Sequence, residues 1–170
     1  VSATLSVDDK MDYFINTLGI NQVENTKKII KPIYNYKSRV QVINTTDIGG
    51  YKGEDFIPNM ADNIKQYVKL SNSNVLSLFN SKKRLEDTYN ILADDLYETN
   101  INVYMNKKGI KCLKNAEDKS IVLGSKGFFE GVDVPGDGLV FVTLDKLPNL
   151  NPTDPLYFSI MTKFNKNYFD

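Results

Sequence analysis

Histidine is absent from this 170-residue chain, which removes Ser-His-Asp and Cys-His triads, imidazole general bases and histidine-liganded zinc. Cysteine occurs once, at Cys112, so an internal disulfide framework and any paired-cysteine zinc or redox motif are excluded, and a small semi-buried side chain is the expected role. Arginine is scarce: Arg39 and Arg84 are the only guanidinium groups among 21 cationic side chains, which leaves few bidentate clamps for phosphate or carboxylate. Neither sign of charge is in excess, with 21 Lys plus Arg against 21 Asp plus Glu. Any contact with nucleic acid must therefore be local, because no global field draws the chain onto a polyanion. Apolar runs fall far short of the roughly 18 residues needed to cross a bilayer, and Val1 opens no charged-then-apolar leader. A soluble, intracellular protein with no membrane partner is the expectation.

A hydrophobic share of 41% is enough for one domain with a sizeable core. Ser6 can cap a helix whose Met11, Phe14, Ile15 and Leu18 share a face, with Gly19 placed to stop it. Arg39 to Asn44 reads as a short β-branched strand, and Thr45 to Asp55, with Gly49, Gly50 and Gly53, as an exposed loop. Met60, Ile64, Tyr67 and Val68 mark a second helical face after Pro58. Val75 to Phe79 is a buried strand, and Ser81 caps a helix carrying Leu85, Tyr89, Leu92 and Leu96. Ile101 to Tyr104, Ser120 to Leu123 and Leu139 to Leu144 are further strands, with a short helix at Ile110 to Leu113 between the first two. Strands alternating with helices predict an α/β domain with a mainly parallel sheet, and such sheets bind ligands beyond the carboxyl ends of their strands.

Two polar turns lie at those ends. Asn80 to Arg84 joins a helix start, a hydroxyl and three cations, a combination suited either to a phosphodiester backbone or to a solvated first turn. Gly124 to Gly138 holds five glycines and a proline. It can bring backbone N–H groups close to a phosphate, with Glu130 or Asp133 facing a ribose hydroxyl or a cation. It can equally be a long turn with Phe128 and Phe129 in the core. No G-x-x-x-x-G-K-[ST] loop occurs, nor a D-E-x-D or D-E-x-H carboxylate pair to hold magnesium. Pro148 to Leu156, with three prolines, reads as an extended strap before a last helix starting near Asp154 or Pro155.

Taken in order, these segments resemble the DinG/XPD family of DNA helicases. Val1-Ser-Ala-Thr-Leu5 is similar to motif III (S-A-T-L), Val75 to Lys82 to motif IV, Gly124 to Gly136 to motif V (S-F-W-E-G-V-D-x-P-G), and Asp145 to Pro155 to the K-L-P-F-x-x-P-x-D-P strap. Phe129 replaces the common Trp, Gly127 the common Ser, and Asn149 the common Phe. The resemblance implies a RecA-like three-layer α/β fold with a mainly parallel sheet. It assigns residues 1–5 to the end of a first motor domain and 6–170 to the second. It places Ser81, Lys82, Gly124 and Ser125 on single-stranded DNA. Ser2, Thr4, Glu130, Gly131 and Asp133 fall at the nucleotide cleft and its coupling element. ATP and Mg2+ belong to the full-length protein, with the first motor domain of the same polypeptide and single-stranded DNA as partners and the nucleoid side of the cytoplasm as location. No residue of this chain is implied to be a chemical catalyst and no metal is implied to be held. The Q-x-x-G-R-x-x-R element and the Walker A lysine do not occur in it, so the expectation is a motor half, cut inside the catalytic cleft and unable to hydrolyse ATP by itself. The rival readings are a stand-alone nucleic-acid-binding or protein-interaction domain, and a small-molecule α/β domain using the glycine-rich loop.

Overall fold

A computed structural model describes residues 5–6, 8–71, 73–114, 119–148 and 154–164. The chain divides into two compact units, Val1–Asn44 and Thr45–Asp170.

In the first unit, α1 (Asp12–Leu18) ends as the sequence predicts: Gly19 takes the left-handed conformation at φ 69° and its N–H turns back to Asn16 O. Its start differs. The helix begins at Asp12 after an uncapped Met11, so Ser6 is not its cap; the carboxylate in the first turn complements the helix dipole instead. The strand expected over Arg39 to Asn44 does not form. Arg39 closes the short α2 (Tyr36–Arg39), and Val40, Val42 and Ile43 follow it exposed, without regular structure. β-branched residues form strands when a neighbour supplies ladder hydrogen bonds and a face to bury, and no described residue of this unit forms a strand element.

The second unit holds α3 (Phe56–Ser71), β1 (Asn74–Leu78), α4 (Lys82–Asp95), β2 (Ile101–Met105), α5 (Ile110–Leu113), β3 (Lys119–Gly124), β4 (Leu139–Leu144) and α6 (Pro155–Phe164). The strands form one sheet in the order β2-β3-β1-β4 with every pairing parallel. Buried along its whole length, β1 lies inside the sheet, whereas β4 alternates and takes an edge. Neighbouring residues of β1 serve opposite faces. Val75 joins Ile121 and Leu123 under the α3 stripe Phe56, Met60, Ile64 and Val68 and the α4 residues Leu85 and Leu92. Leu76 and Leu78 join Val122, Leu113 and Phe128 on the other face. Each such side chain contributes about 1.5–3 kcal/mol by leaving water. Lys65 pairs with Asp62 of its own helix at 2.7 Å and ties α3 to α4 through Asp95. Burial works against its charge, but hydrogen bonds first to Asp62 and then to Asp95 prevail and raise its pKa above the ordinary lysine value.

Two polar pairings tie the strands together inside the sheet, while Ser120 Oγ is buried with no hydrogen-bond partner among the described residues. Thr143 Oγ1 donates to Ser77 Oγ at 2.8 Å, joining β4 to β1. Asn74, 1% exposed, accepts from Ser120 N at 2.8 Å and donates to the carbonyls of Cys112 and Leu113, both at 3.3 Å. One side chain thus fixes the starts of β1 and β3 and the end of α5. The RecA-like α/β architecture expected from the sequence is present, with boundaries shifted by a residue or two. Among the described residues no helix is long and apolar enough to cross a membrane.

Candidate nucleic-acid interface

Parallel strands in register end together. Leu78 is level with Gly124 and Leu144, and Met105 with Leu123, so the turns after all four strands emerge along one edge at about 4.8 Å spacing. Two backbone bonds lock the inner turns side by side: Phe79 N donates to Gly124 O at 2.8 Å, and Asp145 N to Leu78 O at 3.0 Å. Asn80 to Lys83 and Ser125 to Phe128, far apart in sequence, therefore share the edge at which α/β sheets bind ligands.

Ser81 is extended (φ −115°, ψ 126°) and its Oγ accepts from Arg84 N at 3.5 Å, the predicted N-cap of α4. Lys82 is exposed beside it, as is Lys126 in the neighbouring turn. No carboxylate among the described residues pairs with either lysine. The other two cations of the first turn are committed elsewhere. Lys83 pairs with Asp87 at 2.8 Å. Arg84 turns inward, its Nη2 donating to Tyr51 O and its guanidinium lying 3.9 Å from the Tyr51 ring centroid. Of the three cations that the sequence offers either to a phosphodiester backbone or to a solvated first turn, Arg84 is drawn inward, Lys83 sits in an exposed pair, and Lys82 has no carboxylate partner among the described residues.

Gly124 is a glycine for steric reasons: a Cβ there would meet Phe128 Cγ at 2.5 Å and Cβ at 2.7 Å. Phe128 is buried at 7% exposure and its N–H closes onto Ser125 O at 2.8 Å. Of the two uses open to the glycine-rich loop, its aromatic start belongs to the core, and the tip at Ser125, Lys126 and Gly127 faces outward from the edge. A Cβ on Gly127 meets nothing within 4 Å, so serine fits there. Gly124→Ala is expected to lose about 1–3 kcal/mol by displacing Phe128, while Gly127→Ser stays within about 0.5 kcal/mol; urea unfolding of the two variants checks the contrast.

Glu130, Gly131 and Asp133 are exposed on the irregular segment after Phe129, with Gly131 at φ 78°. Neither carboxylate is engaged by a hydrogen bond or ion pair among the described residues. Ser2 and Thr4 lie outside the described residues. No three His, Cys, Asp or Glu side chains among the described residues are grouped to hold a metal ion.

A polar cluster not anticipated from sequence closes the same edge. Asp145, 6% exposed at the end of β4, receives Asn80 N at 3.0 Å, Asn80 Nδ2 at 2.9 Å and its neighbour Lys146 N at 2.8 Å on Oδ1, and the Tyr51 hydroxyl at 3.3 Å on Oδ2. Burial foremost, then the Asp145 charge, raises the Tyr51 pKa, keeping the phenol protonated as a donor. The one signal in the sequence was Tyr51 itself, an aromatic among glycines in a loop read as exposed.

Residues 64–169 match the family model described as the helicase C-terminal domain. Curated relatives include the 3'-5' exonuclease DinG of Staphylococcus epidermidis, 28% identical over 100% of this chain and 20% of its own length, and that of Bacillus subtilis, 28% identical over 99% and 19%. The ATP-dependent DNA helicase YoaA of Escherichia coli is 27% identical over 91% of the chain and 24% of its own length. The chain thus spans about a fifth of the length of the curated relatives it matches. No solved structure gives a significant match.

Proposed function

We propose a function from one premise, that the chain belongs to the helicase C-terminal domain family: it is the second motor domain of a DinG-type, ATP-dependent DNA helicase and grips single-stranded DNA along the carboxyl edge of its sheet. The observation that carries this reading is the Phe79 N to Gly124 O bond of 2.8 Å, which sets the segments resembling motifs IV and V next to each other. In this reading Ser81, Gly124 and Ser125 offer hydroxyl and backbone groups to phosphates and Lys82 a point charge, and Lys126, exposed in the neighbouring turn, offers a second. Backbone contacts of this kind position a strand without reading its sequence. ATP and Mg2+ would sit between this domain and a first motor domain of the same polypeptide, with Glu130, Gly131 and Asp133 on the facing loop and Ser2 and Thr4 in the coupling element. Bound nucleotide would supply the phosphoryl chemistry that drives closure, moving the strand 5′ to 3′ on the nucleoid side of the cytoplasm. The residues that act on the γ-phosphate are assigned to other parts of the parent protein, so this chain alone is expected to show no ATPase activity.

Fluorescence anisotropy with a labelled oligonucleotide tests the grip. Binding of the 170-residue chain is expected to be weak and to fall steeply with salt. Lys82→Ala with Lys126→Ala is expected to weaken it further and to flatten the log–log salt slope by about 0.7 for each phosphate no longer neutralised. Salt-independent binding, or a double variant that binds as well as the parent, would sink the reading.

A further inference from the structure

We infer that Asp145 is a positioning residue for DNA binding, setting the turn that carries Ser81 and Lys82 from the far side of β1; the inference rests on the DNA-binding reading above. The sheet itself does not need Asp145. Strands β1 and β4 are already paired through Leu78 and Leu144, and α4 is capped by Ser81. Phe79 is held by its N–H to Gly124 O and by the core, so what strand pairing and capping leave undetermined is the link at Asn80. Asp145 Oδ1 takes both the backbone and side-chain N–H groups of Asn80, and Asn80 Nδ2 also donates to Lys146 O at 2.8 Å. The two turns are therefore stitched in both directions, side chain to backbone each way. Oδ2 is held separately by the Tyr51 hydroxyl at 3.3 Å, which fixes the carboxylate plane.

Burying a carboxylate is costly unless its oxygens are filled by donors. Here three N–H groups and a phenol fill them, and two cations stand over the phenol ring, Arg84 at 3.9 Å and Lys146 Nζ at 4.7 Å from its centroid. Two of the donors, and a further bond to Lys146 O, belong to one turn residue, Asn80. The two residues after it, Ser81 and Lys82, are those assigned to the DNA backbone. A phosphate contact made by a flexible lysine gains from a fixed origin, because less freedom is lost on binding.

A double-mutant cycle read by anisotropy on single-stranded DNA tests this with the full chain, at a temperature where near-ultraviolet circular dichroism shows every variant folded. Asp145→Ala is expected to weaken binding about threefold or more, and Asp145→Ala with Lys82→Ala to lose clearly less than the product of the two single losses, the remainder being the Ser81 contact, a coupling of the size that neighbouring residues show. Asp145→Asn keeps an oxygen for the Asn80 N–H and is expected to restore most of the affinity. If Asp145→Ala does not fold, Asn80→Ala takes its place in the cycle with the same expected coupling. Fully multiplicative losses, or Asp145→Asn binding as poorly as Asp145→Ala, overturn the positioning role while leaving the DNA reading intact. Lys82→Ala binding as well as the parent overturns both.

Discussion

Phe79→Ala is expected to lower the free energy of unfolding by about 3–5 kcal/mol, a large part of the roughly 5–15 kcal/mol that holds a domain folded. Phe79 is fully buried, just beyond the end of β1, against the α3 and α4 stripes. Truncation removes its apolar area from the core and leaves a cavity that α3 cannot close, because α3 is already seated by Phe56, Met60, Ile64 and Val68. The backbone bond from Phe79 N to Gly124 O survives the substitution, so the loss should appear in the urea midpoint with little change of slope. A loss below about 1 kcal/mol would show that the site collapses around the smaller residue.

Asn74→Ala is expected to cost about 2–4 kcal/mol, by a different route. The removed volume is small, but Ser120 N–H loses its acceptor and the carbonyls of Cys112 and Leu113 lose a donor, at a position 1% exposed and too enclosed for solvent to replace the amide. Buried donors without partners carry their full desolvation cost. Ser120 Oγ is already buried without a hydrogen-bond partner among the described residues, so the start of β3 has little polar capacity to spare. Amide hydrogen exchange at Ser120 separates this from a packing defect: protection there should fall well ahead of that at Val122. Equal loss at both would assign the effect to global unfolding.

These two residues also mark how far the sequence could be read. Apolar runs gave the strands, and the spacing of Met60, Ile64 and Val68 gave α3, because burial imposes a period that survives in the sequence. The order of the segments resembling motifs IV and V placed the candidate site at strand ends, where the parallel sheet indeed brings them together. Arg39 to Asn44 misled for the opposite reason: β-propensity describes fitness for a pleated surface that a partner must provide. Arg84 looked like a cation for a ligand, yet planar guanidinium stacks well on an aromatic face, and Tyr51 offers one from 33 residues away. Asp145 and Tyr51 meet across 94 residues. No local pattern encodes such a contact, and it is visible only in the folded chain.

The strand order carries a last consequence, for the making of the protein. β1 is inside the sheet, yet both of its neighbours come later in the chain, and the Ser77 to Thr143 bond spans 66 residues. At about 5–20 residues per second, a ribosome adds that length in about 3–13 seconds. For the first part of that interval, until β3 is made, the nascent chain holds a strand destined to be buried along its whole length with no ladder on either side, and only α3 and α4 can shelter it on one face. Pairings this distant in sequence also fold slowly, so synthesis, with the chaperones that attend it, is the stage at which this domain is most exposed to failure.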